Sequence, residues 1–139
     1  MYQYIETSLF VMENKFDQAQ IEFDFEIPDP NDMVNNLTIG YVEYFGESMD
    51  ESILELFVDG KSGKREDGLF YASCFDHCDG LGMGEYQGMG PGPALVTVVN
   101  GYNSSVLVGD WFFERNELPH IVYDDCNKHN VSLPSNPTC

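Results

Sequence analysis

Five consecutive residues hold the most reactive side chains of the chain: Cys74, Phe75, Asp76, His77 and Cys78. A thiol beside an imidazole is the pairing that activates a cysteine nucleophile, because the base takes the proton that the thiolate must lose. The same cluster suggests zinc, but zinc knuckles space their thiols C-x2-C and repeat the pair, and this chain does neither. The remaining cysteines, Cys126 and Cys139, complete an even set in two local pairs. In an oxidising compartment that set reads as two disulfides, Cys74–Cys78 and Cys126–Cys139. A bridged sulfur is no nucleophile. No G-x-S-x-G and no H-E-x-x-H occurs, and carboxylates are so numerous that no acid–base pair stands out. On these grounds no catalytic residue is assigned, and the expectation is that the protein is not an enzyme.

Binding chemistry is written more plainly. The chain carries 24 Asp and Glu against 6 Lys and Arg, a formal charge of −18, which repels phosphate backbones and excludes nucleic acid as a partner. Calcium is the natural ion for such a composition, and Asp29, Asn31 and Asp32 form one candidate oxygen cluster. The groups Glu47, Asp50, Glu51 and Asp124, Asp125, Asn127 are others, although none fits the D-x-[DN]-x-[DN]-G-x5-E loop. Three N-x-[ST] sequons mark Asn36, Asn103 and Asn130 as glycosylation candidates. Even cysteines, sequons and few lysines together point to an extracellular or cell-surface protein of the secretory pathway. The N-terminus, MYQYIETSLFVMENKF, has neither the basic nor the long apolar region of a signal peptide. It reads as a mature domain or as part of a larger secreted or anchored protein, and no apolar run is long enough to span a membrane.

The elements that would position these residues follow a period of two. Ile21, Phe23, Phe25 and Ile27 alternate with Glu22, Asp24 and Glu26, the pattern of a half-buried strand. Leu37–Phe45, Ile53–Val58, Leu69–Ser73, Ala94–Val99, Val106–Phe113 and His120–Tyr123 read as further strands, with Tyr4–Met12 before them. Asn100-Gly101 is the strongest hairpin signal. Residues 47–57 can also be drawn as a helix, with Ser48 as cap and Glu51 completing a capping box. The expected fold is all-β, an antiparallel immunoglobulin-like β-sandwich of about seven to nine short strands. It comprises an N-terminal segment (1–18), the sandwich (19–123) and a disulfide-closed tail (124–139). Residues 80–93 form a Gly- and Met-rich loop within the sandwich, holding 6 of the 13 glycines.

The stretch Ile39–Gly60 resembles the central motif of DOMON domains, with Ile39-Gly40-Tyr41, Met49-Asp50 and Ile53–Val58 at the matching positions. Trp111–Arg115 is similar to that family's late strand, and His120–Tyr123 to its closing strand. The resemblance implies an immunoglobulin-like sandwich and, in cytochrome members, a b-type haem ligated by methionine and histidine, here Met49 and His120. Other members bind carbohydrate. The resulting expectation is a non-catalytic, glycosylated extracellular module for ligand binding, adhesion or assembly, whose partners are other subunits or glycans. A subunit of an extracellular fibre or coat, joined through strand edges into a homo-oligomer or filament, is the alternative.

Overall fold

A computed structural model describes residues 5–24, 36–58, 67–75 and 97–124. Strand β1 runs Phe10–Phe16, helix α1 Asn36–Phe57, and strand β2 Gly68–Phe75. A small hairpin of β3 (Val98–Val99) and β4 (Tyr102–Asn103) leads into helix α2 (Ser104–Phe112), and β5 (Ile121–Tyr123) follows. The main sheet has the order β1-β2-β5, and both pairings are parallel. Parallel neighbours need a crossover, and α1 supplies it between β1 and β2.

This is an α/β architecture, and it overturns the all-β sandwich. The reason lies in β2. Seven of its eight residues, GLFYASC, are buried, the mark of a central parallel strand covered on both faces rather than a half-exposed one. Its side chains alternate between two cores. Leu69 and Tyr71 join Phe57 of α1, with Val11, Ile53, Leu54 and Leu56 packed around them. Phe70, Ala72 and Cys74 point the other way, to Val99, Leu107 of α2 and Val122 of β5. The sheet is therefore sandwiched between helices.

Three expected strands are helical, Leu37–Phe45 and Ile53–Val58 (as far as Phe57) within α1 and Val106–Phe113 (as far as Phe112) within α2, for identifiable reasons. In α1 the buried or core-packed residues Val42, Phe45, Met49, Ile53 and Phe57 recur every three to four positions, while Tyr41 and Tyr44 are exposed. The helix drawn over 47–57 is present and begins eleven residues earlier, at Asn36. In α2 the buried stripe is Ser104, Leu107 and Asp110, and Asn103 caps it by accepting the Val106 amide through its side chain at 2.9 Å. The expected strand from Ile21 is, as far as Asp24, a π-helical turn (Gln20–Asp24). That geometry buries Ile21 completely and leaves Phe23 79% exposed, whereas a strand would have put them on one face.

The Asn100-Gly101 turn is where the sequence puts it, with φ of 51° and 87° as the hairpin geometry requires. Its second arm is only two residues long before the chain turns helical. The last strand, at His120–Tyr123, is β5.

Close approach of α1 to the end of β1 depends on Gly46. A Cβ there would stand 2.5 Å from Phe16 Cε1 and 2.9 Å from Lys15 Cε. Phe16 is fully buried and has nowhere to move. Gly46→Ala is expected to destabilise the fold by about 1–3 kcal/mol, the range for overpacked cores, read as a lower midpoint in urea melts. An unchanged midpoint would mean that α1 is free to shift outward.

Candidate active site

In open α/β sheets, ligands meet the protein beyond the carboxyl ends of the strands. Among the described residues, two acidic ones follow strand ends at that edge. Asp17 follows directly on Phe16, the last residue of β1. Asp124 follows directly on Tyr123, the last residue of β5. His77 stands two residues beyond Phe75, which ends β2, the strand between them. Phe16 and Phe75 are paired in the register, so β1 and β2 end side by side, while His77 itself lies outside the described residues.

The two aspartates are held differently. Asp17 is 4% exposed. Its Oδ1 accepts the Gln20 amide at 2.9 Å and its carbonyl accepts the Ile21 amide at 3.0 Å, so it caps the π-helical turn. Short π-helical segments are frequent at functional sites. Asp124 uses Oδ2 to accept the Ser73 amide at 2.9 Å and donates its own amide to the Tyr71 carbonyl at 3.0 Å. It prolongs the β2–β5 ladder and so already has a structural task.

The residues singled out from sequence are dispersed. Cys74 is buried on β2 and disulfide-bonded. Cys78, Cys126, Cys139, Asn130, Asp29, Asn31 and Asp32 lie outside the described residues. Asn36 opens α1, and Asn103 is the α2 cap, with the Ser105 hydroxyl donating to its Oδ1 at 2.9 Å. Met49 and His120, the pair that haem ligation requires, occupy different surroundings. Met49 packs into the cores between α1 and the sheet, whereas His120 lines a cavity beside Trp111. Asp50 of the second acidic group is bonded to Lys15 and Tyr71. No cluster of three or more potential metal ligands occurs among the described residues.

Asp17 was missed because one aspartate among 24 acidic residues has no signal until a strand is seen to end beside it. His77 was noticed only for its flanking cysteines. The informative pattern was positional: two apolar runs that become parallel strands, one followed by Asp, the next by His.

A parallel sheet covered by helices, with a buried acid directly after the end of its first strand, is an α/β architecture of the kind that hydrolases use. The chain belongs to the pectinacetylesterase family, whose model matches residues 1–139. It is similar to pectin acetylesterase 11 of Arabidopsis thaliana, 41% identical over 72 residues, which are 52% of this chain and 15% of that protein. The chain thus spans a small part of the curated relative that it matches. No solved structure matches it.

These findings replace the DOMON resemblance, and with it the immunoglobulin-like sandwich. The short Met-Asp and His-x-x-Tyr matches were too brief to carry a family. Membership of an esterase family likewise overturns the expectation of a non-catalytic adhesion or assembly module. The extracellular setting agrees with this family and with the disulfide at Cys74.

Proposed function

We propose that this chain supplies the acid–base half of an esterase site that removes acetyl groups from a pectic polysaccharide. The observation that carries the reading is the buried Asp17 at the end of β1, beside the strand that leads to His77. His77 is the general base, and Asp17 orients its imidazole and stabilises the imidazolium. No G-x-S-x-G occurs in the 139 residues, and no nucleophile is assigned among them.

The steps follow from those roles. His77 takes the proton of the nucleophilic hydroxyl as its oxygen attacks the acetyl carbonyl. The tetrahedral adduct collapses, the sugar oxygen leaves with the proton from His77, and an acetyl-enzyme remains. His77 then deprotonates water, whose attack releases acetate and restores the hydroxyl. The surrounding acidity of the chain favours release of that anion. Secretion to a cell wall or cell surface belongs to the same reading.

Acetate release from acetylated pectin by the protein that contains these residues tests the proposal, with p-nitrophenyl acetate as a general ester. Hydrolysis of both is expected. Hydrolysis of the simple ester alone rejects the pectic substrate, and hydrolysis of neither rejects the esterase.

A further inference from the structure

A second concave site lies at the opposite edge of the sheet. Ser8 precedes β1 and His120 precedes β5, so both stand at the amino ends of the parallel strands. Together with Trp111, Phe112, Glu114 and Asn116 they line a half-open cavity of about 390 Å³. Seven residues of strand, at ~3.3 Å each, separate this edge from Asp17, a distance of ~20 Å. The cavity is therefore distinct from the proposed acid–base pair.

Its wall is built under strain and held rigidly. Glu114 and Asn116 have φ of 52° and 54°, a left-handed conformation that side-chain-bearing residues seldom adopt. Such residues persist only where the surroundings over-determine them, and they gather at ligand sites. Asp110, 2% exposed, does the holding here. Its Oδ2 accepts the amides of Glu117 and Leu118, each at 3.2 Å, and its carbonyl accepts the Arg115 amide at 3.0 Å. The Asn116 side chain closes the turn by donating to the Glu114 carbonyl at 2.9 Å. Trp111 is fixed from behind by Phe10, with ring centroids 5.5 Å apart.

We propose that this cavity is a binding subsite for a neutral sugar ring. Aromatic surface from Trp111 and Phe112 suits the apolar C–H face of a pyranose, while the rim offers a hydroxyl, a carboxylate, an amide and an imidazole to its hydroxyl groups. A wholly apolar ligand would dehydrate that rim without replacing its hydrogen bonds. An acidic sugar would meet Glu114 inside a field of −18. The preset loop lowers the ordering cost of binding.

Trp111 lines the cavity, so a fluorescence change that Trp111→Phe removes reports on it directly. Protein made in a bacterium, free of glycans, is titrated with galactotetraose, with galacturonic acid tetramer and with tetramethylammonium chloride. A saturable change with galactotetraose is expected, at least about tenfold tighter than with the uronate. Phe112→Ala, an exposed position, is expected to weaken it by about tenfold with an unaltered circular dichroism spectrum. Glu114→Gln is expected to narrow the gap between neutral and acidic sugars. A response only to the uronate or the ammonium ion, a response indifferent to Phe112→Ala, or no response at all overturns the proposal.

Discussion

Replacing His77 by alanine is expected to lower kcat for acetate release by about 10⁶-fold, and Asp17→Asn by about 10⁴-fold. The inequality follows from the roles. Without the imidazole nothing takes the proton of the attacking hydroxyl. Without the carboxylate the imidazole remains but is held in the wrong tautomer. Asparagine keeps an oxygen for the Gln20 amide, so the π-helical turn and the fold survive the change. Asp124→Asn is the matched control. It also keeps an acceptor for the Ser73 amide, and it is expected to leave kcat unchanged. Rates of the three variants, with circular dichroism spectra to verify folding, decide the matter. A fully active Asp17→Asn protein would remove Asp17 from the reaction, and a loss at Asp124 instead would exchange their roles.

What the sequence disclosed depended on whether local pattern and tertiary environment agreed. The Asn100-Gly101 turn was legible because positive φ is a local demand that few residues meet. The strand at β2 was legible as a short apolar run, but not as parallel, since parallel pairing is set by the crossover between strands and leaves no local mark. Helix α1 was hidden by coincidence. Leu37, Ile39, Tyr41, Glu43 and Phe45 fall on odd positions, and four of the five suit a strand face. The helical stripe of Val42, Phe45, Met49 and Ile53 crosses that pattern and becomes visible only over four turns. Helix α2 was hidden because two of its three buried residues, Ser104 and Asp110, are polar.

The site was less legible than the fold, for a physical reason. A catalytic carboxylate differs from a solvated one by burial and by what leaves the neighbouring strand, and neither is a property of its own residue type. Asp110 illustrates the same point. It appears as one charge in an apolar run, VLVGDWFF, yet it is nearly inaccessible and holds the loop from Arg115 to Leu118. In an acidic chain the informative carboxylates are the few that the fold withdraws from water.

The same reasoning singles out Lys15, one of six cations on the chain and one that is only 6% exposed. Its Nζ meets Asp50 Oδ2 at 2.6 Å, while the Tyr71 hydroxyl donates to Asp50 Oδ1 at 2.9 Å. Strand β1, helix α1 and strand β2 are thereby joined through one carboxylate, directly behind the residue that leads into Asp17. Removing one partner of a buried pair costs about 3–5 kcal/mol, mostly because the other charge is left uncompensated. Asp50 keeps some contact with water, with its side chain 24% exposed, so Lys15→Met is expected at the lower end, about 3 kcal/mol. The double variant Lys15→Met, Asp50→Leu should recover much of that loss, because it removes both charges and fills the space with apolar atoms. Tyr71 would then lose its acceptor, which sets a residual penalty of about 1–3 kcal/mol. Urea melts of the wild type, both single variants and the double variant measure the coupling directly. Strictly additive losses would show that the pair is solvated in the folded protein and that the three elements are held together by their apolar contacts alone.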